Sequence, residues 1–98
     1  MSIATVRAAV GTIPIAEAVW RRRARVGGRV RSMRVQPWGG VPTLECTLVD
    51  ESGGLIAVFV GRRAVRGLEL GRRMVVDGIV GDRRGHVAML NPQYELLG

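Results

Sequence analysis

The chain has 98 residues, enough for one domain with a single core and a moderate margin of stability, and its hydrophobic fraction of 47% argues against disorder. Fifteen arginines, no lysines and eight acidic residues give a net charge of +7, which favours an anionic partner with nucleic acid as first candidate; the alternative is a GC-rich genome and no specific ligand. One cysteine excludes a disulfide framework and a cysteine-rich zinc site, and no run approaches the roughly 18 apolar residues of a membrane helix.

The N-terminus does not read as a signal peptide. Arg7 interrupts its apolar residues, Pro14 follows, and "RRR" at 21–23 lies on the wrong side of them. A soluble cytoplasmic protein is expected. Residues 1–12 read as a loosely ordered segment or a short helix. In "TIPIAEAVWRRRARV", Thr12 suits an N-cap, Pro14 the first turn, and Glu17 the positive end of a helix. Ile15, Ala18 and Val19 fall at helical spacing, so a short helix is expected over 14–22.

From Arg25 the period becomes two. Val26, Gly28 and Val30 alternate with Gly27, Arg29 and Arg31, giving a strand with one apolar and one basic face. The Gly27–Gly28 pair predicts a bend or bulge. "PWGGVP", 37–42, is a turn. "TLECTLVD" alternates again, with Leu44, Cys46 and Leu48 on one side and Thr43, Glu45 and Thr47 on the other. Cys46 is therefore expected as a buried thiol. "DESGG", 50–54, is a tight hairpin connection, and "LIAVFV", 55–60, is a third strand with two apolar faces. "GRRAVRGLELGRR", 61–73, carries five arginines and one glutamate, and leaves room for a short helix. "RRMVVDGIVGD" is a fourth strand, "DRRG" at 82–85 a turn, and "HVAMLN" a fifth strand that Pro92 ends. One core is expected from Val26, Val30, Leu44, Cys46, Leu48, Val58, Met74, Val76, Val80, Val87 and Met89.

Five short curved strands, with a longer connection between the third and fourth, describe an all-β Greek-key barrel of the OB type spanning 13–97. An SH3-like barrel is the competitor, and the long 3–4 connection argues against it. The runs "GGRVRSMRVQP", "TLECTLVDESGGLIAVFVGRR" and "LELGRRMVVDGIVGDRRGHVAMLNPQYEL" resemble the OB-fold nucleic-acid-binding family of anticodon-binding type. They look in particular like its small stand-alone actinobacterial members. They are also similar to the OB wedge domain of the helicase that remodels branched DNA. The resemblance implies non-catalytic binding of single-stranded or junction DNA or RNA with weak sequence preference and no cofactor.

OB barrels take ligands across strands 2 and 3, between the 1–2 and 4–5 loops. Mapped onto this chain, that face offers Thr43, Glu45 and Thr47 from strand 2, Ala57 and Phe59 from strand 3, Trp38 from the 1–2 loop, and Arg83 and Arg84 from the 4–5 loop, with Thr47, Phe59, Trp38, Arg83 and Arg84 taken as contacts. Arg29, Arg31 and Arg34 of strand 1 join them. Two readings of Trp38 stay open: a stacking platform, or a cap on the barrel's open end. Phe59 either packs against the N-terminal helix or a partner, or stacks on a base. Arg62, Arg63, Arg72 and Arg73 read as solvated surface with a secondary electrostatic role. Trp20, Trp38, Phe59 and Tyr94 are the only aromatics beside one histidine, so binding would lean on arginine and electrostatics. His86 has no second metal ligand at a useful spacing, and no Ser–His–Asp set or phosphate loop appears, so an enzyme is not expected. The competing function is a protein-interaction or oligomerisation module, which would expose Leu55, Ala57 and Phe59.

Overall fold

A computed structural model describes residues 11–98; the expectation for residues 1–10 lies outside the described residues. Six strands follow one another: β1 (Arg23–Trp38), β2 (Val41–Val49), β3 (Gly54–Val60), β4 (Arg73–Arg83), β5 (His86–Leu90) and β6 (Gln93–Leu97). They pair in the order β1-β2-β3-β5-β4, and β4 returns to β1. Five strands thus close a ring in which only the β3–β5 contact is parallel. This is an all-β barrel of the OB type.

β1 can serve two neighbours because it is long. Arg23–Arg29 pairs with β4, and Arg29–Trp38 pairs with β2. At the handover, a Cβ on Gly28 would stand 2.6 Å from the Val49 carbonyl oxygen, so only glycine allows the approach. The register itself breaks two residues later, between Val30 and Ser32.

The alternation in β1, β2 and β4 places its apolar residues as expected. Val26, Val30, Leu44, Cys46, Leu48, Met74, Val76, Val80 and Met89 are buried in one cluster. β3 departs from the expected register. Leu55, Ala57 and Phe59 point into that cluster, while Val58 is buried on the outer side. A strand apolar on both faces carries no parity signal. Val87, expected inside, is exposed near the β4–β5 turn. The outward patch of Leu55, Ala57 and Phe59 that a protein-interaction module would show is accordingly absent.

The expected helix over 14–22 is a single 3-10 turn, Ile15–Glu17, with Pro14 rather than Thr12 at its N-cap position. The turn between β2 and β3 captures its first donors. Ile15 N–H donates to Asp50 Oδ2 at 2.9 Å and Ala16 N–H to Ser52 Oγ at 3.0 Å. Ile15 is thereby plugged into the core, and Ala18 is already extended. Tertiary bonds outweigh a weak local propensity here. The 3–4 connector likewise forms turns instead of a helix. Gly61, Gly67 and Gly71 are all left-handed, and Val65 is its buried anchor.

Pro92 ends β5 as expected, but the chain then resumes as β6, which adds to the outer edge of β4 from Arg73 to Asp77. This sixth strand was not expected. Its five residues are Gln-Tyr-Glu-Leu-Leu, the first three exposed and the two leucines half-buried.

Candidate nucleic-acid interface

Two short hairpins frame the outer face of β2. The β1–β2 connection is Gly39–Gly40 and the β4–β5 connection is Arg84–Gly85; all four residues have positive φ. Such two-residue turns match the twist of the strands they join and keep the hairpins stiff. The β4–β5 hairpin therefore brings Arg83 and Arg84 over β2, toward the end of β1.

Glu45 of β2 lies beneath them. It points outward as its alternation requires, yet its side chain is only 3% exposed. Arg83 covers it with Nε at 3.0 Å and Nη2 at 2.8 Å from Oε2, and Arg84 Nη2 is 2.6 Å from Oε1. Arg34 Nε stands 3.7 Å from the same Oε1. Gln36 Oε1 accepts from Arg84 Nη1 at 2.6 Å and from Arg34 Nη2 at 3.2 Å. Burial pushes the Glu45 carboxyl's pKa up, but hydrogen bonds from Arg83 and Arg84, with their charges, outweigh it and hold the pKa below its ordinary value. The cluster is three cations around one ionised carboxylate.

Arg83 also reaches the 1–2 hairpin. Its guanidinium carbon lies 4.6 Å from the centroid of the Trp38 ring. Trp38 is 42% exposed, and it does not cap the barrel. It forms the wall of a groove of about 640 Å³, together with Arg83. Val58, Ile79, Ala88 and Leu90 supply the groove's apolar lining, and Arg23 and Asp77 stand elsewhere along it. A second recess of about 450 Å³ is lined by Ser32, Thr47, Ile56 and His86, with Arg34 and Arg84. Glu45 borders this recess, while its partner Arg83 borders the first. The groove thus combines an indole, a planar cation and aliphatic side chains. The exposed edges of Arg34 and Arg84 suit an anion.

The structure thus gathers Arg34, Trp38, Thr47, Arg83 and Arg84 of the expected site. It does not gather the rest. Phe59 is in the core, edge-on to Tyr94 at 5.5 Å between centroids, and cannot stack on a ligand. Arg29 and Arg73 are cross-strand partners at the start of β4, and Arg29 Nη1 donates to the Gly71 carbonyl. Arg31 is exposed at the register break. Arg62 and Arg63 are exposed in the connector, whereas Arg72 is turned inward, donating to the carbonyls of Leu97 and Gly67. Sequence reading placed Glu45 on this face but missed its pairing with Arg83 and Arg84, because these partners lie 38 and 39 residues away.

Cys46 is fully buried, and burial pushes its thiol up to about 11, so it stays protonated near neutrality. Among the described residues no group of three His, Cys, Asp or Glu side chains could hold a metal ion. No described helix is long and apolar enough to cross a membrane.

No family model and no curated protein matches the chain. Among solved structures it is similar to the replication factor A related protein from Methanobacterium thermoautotrophicum, determined by solution NMR. The two are 17% identical and superpose with a TM-score of 0.70 over 88% of this chain and 90% of that one. At that identity the likeness speaks for the OB fold, whose architecture the strand order already carries.

Proposed function

We propose that the protein is a non-catalytic module that binds single-stranded nucleic acid. The observation that carries this reading is the stack of Arg83 on Trp38 beside an apolar groove, with Arg34 and Arg84 lining the neighbouring recess around Glu45. An unpaired base has two open faces and can enter such a groove; a base inside a duplex is already stacked. The phosphates on either side of that base would meet Arg84 and Arg34. A base stacked on an aromatic contributes roughly 1–3 kcal/mol whatever its identity, so sequence preference is weak and the arginines supply much of the affinity. The name of the similar structure, a replication factor A related protein, supports the same reading. So does the resemblance to small actinobacterial OB proteins and to a wedge domain that works on branched DNA, which makes a junction with an unpaired arm a natural substrate. Cytoplasmic action on such nucleic acid fits the basic charge.

Fluorescence anisotropy tests it, using labelled single-stranded DNA, single-stranded RNA, duplex and forked DNA of equal length at two salt concentrations. Single strands and the fork should bind more tightly than the duplex, with the logarithm of the binding constant falling as the logarithm of salt rises. Equal binding of the duplex, or no salt-dependent binding of any probe, would refute the proposal.

A further inference from the structure

The chain holds two tryptophans, and each carries an arginine guanidinium on its ring. Arg83 is 4.6 Å from the Trp38 centroid, and Arg21 is 4.3 Å from that of Trp20. Trp20 is the more exposed of the two indoles, at 59%. It has no role in the core or in the groove beside Trp38.

Trp20 and Arg21 are the central residues of a turn that Arg22 N–H closes on the Val19 carbonyl at 3.0 Å. Arg21 adopts φ +69° there. A turn of this kind needs a positive φ at its third residue, and glycine or asparagine ordinarily supplies it. Arginine in that conformation is strained, and strain of this sort collects at functional sites. Two backbone bonds hold it: Arg21 N–H donates to the Val80 carbonyl at 2.8 Å, and Val80 N–H donates to the Arg22 carbonyl at 2.9 Å. Among the described residues no carboxylate pairs with Arg21 or Arg22.

These bonds fix the turn to the β1 side of β4, level with Val80. Arg83, three residues further along the same strand, is the partner of Trp38. Arg23 and Ile79 join the two places: they are cross-strand partners, and both line the groove that Trp38 walls. Two tryptophan–arginine pairs therefore bracket the second half of β4, one from each hairpin or turn beside it.

We propose that Trp20 and Arg21 form a second base-stacking site, and that a bound single strand crosses β4 from Trp38 to Trp20. Arg21 covers one face of the indole and holds the ring in place before binding, leaving the exposed remainder for a base. Arg22 adds a cation for the adjoining phosphate. A strained arginine is kept because glycine, which would relax the turn, would leave the ring without its clamp. The proposal rests on the nucleic-acid reading of the Trp38 groove.

With two tryptophans, each can be read alone. Trp38→Phe leaves Trp20 as the only indole, and Trp20→Phe leaves Trp38. Each variant is titrated with dT12 and with U12, of a length within the range one OB barrel covers, while anisotropy and tryptophan emission are recorded together. Trp20 emission should be quenched with the midpoint that anisotropy gives, for whichever polymer binds. Trp20→Ala should weaken binding about tenfold, a loss within the range for one stacked base. Arg21→Gly should raise the melting temperature and weaken binding together, a combination that a merely structural turn would not give. If anisotropy reports binding and Trp38 is quenched while Trp20 emission stays constant, the second site is refuted and the groove reading stands. If the wild type binds neither oligomer, both fall.

Discussion

Replacing Glu45 by glutamine should make the protein less stable and a better binder at once. The Glu45 side chain is 3% exposed and that of Arg83 16%, while Arg84 is 44% and Arg34 57% exposed. Removing one partner of a fully buried pair costs about 3–5 kcal/mol because a charge is stranded. That is the ceiling here. Arg84 and Arg34 can return to water at little cost, glutamine keeps the shape and one acceptor oxygen, and only Arg83 stays largely enclosed. A loss of about 2 kcal/mol remains, the scale of a hydrogen bond to a charged group. For a domain of this size that lowers the melting temperature by roughly 8–16 °C. Meanwhile the charge of the cluster rises from three cations less one carboxylate to three cations. If one further phosphate is engaged, the log–log salt slope for a single strand steepens by about 0.7. The pH dependence has a definite sign. The folded pKa of Glu45 lies below its ordinary 4.5, so the unfolded chain takes up the proton first as the solution is acidified. The stabilisation is whole above about pH 4.5 and is lost as pH falls through the folded value. The gap in melting temperature between wild type and Glu45→Gln should therefore be constant near neutrality and close in acid. A variant that melts with the wild type at pH 7 would show that Arg83 and Arg84 do not rest on Glu45 in solution.

Arg83→Ala with Arg84→Ala should weaken binding to all sequences and flatten the salt slope; Arg62→Ala with Arg63→Ala should do so less, and the reverse order would place the binding edge on the connector. Trp38→Ala should lower affinity with little change in slope, since stacking releases few ions; a slope change equal to that of the arginine pair would refute its stacking role. Leu48→Ala removes a side chain buried in the core cluster and should cost about 2–5 kcal/mol in a urea titration. Gly28→Ala would drive a methyl to 2.6 Å from the Val49 carbonyl oxygen, a backbone atom that cannot swing aside; a loss of about 1–3 kcal/mol is expected, and an unchanged midpoint would mean that β1 does not cross β2 so closely.

The barrel was legible wherever apolar residues on one strand face alternate with polar residues on the other. β1 and β2 are of that kind, and their alternation placed five of the expected core residues in the observed cluster, where Met74, Val76 and Val80 of β4 and Met89 of β5 join them. It failed where both faces are covered. β3 is enclosed by the core on one side, and on the other Val58 lines the groove that Trp38 and Arg83 wall, so hydrophobicity could not say whether Val58 or Phe59 points inward. The helix over 14–22 failed for a different reason. Its spacing was adequate, but Asp50 and Ser52, 35 and 36 residues away, take the N–H groups of Ile15 and Ala16. The connector failed because three left-handed glycines cost a helix more than its length could return.

The site was legible in its cations and illegible in its anion. Position on an OB barrel pointed to Trp38, Arg83 and Arg84, which the structure brings together, because the two hairpins that carry them are defined by local turn residues. Glu45 looked like one more polar residue on the outer face of a strand. Its meaning depends on what the second hairpin lays over it, and that is a fact of closure, not of local pattern. The net charge of +7 misleads in the same way. Asp77 and Glu95 occupy Arg23 and Arg25 on the β1–β4 side, and Glu45 offsets one of the three arginines at the groove. On the proposed function, a phosphate arriving there would meet a local excess of two charges, held in place by the carboxylate that reduces them. Overall basicity would then govern the approach to the protein, whereas the balance between Glu45 and its three arginines would govern what is gained on arrival. Glu45→Gln set beside Glu51→Gln, which changes the net charge equally but lies outside both the groove and the recess, therefore discriminates between these two effects, as the removal of any one surface arginine cannot.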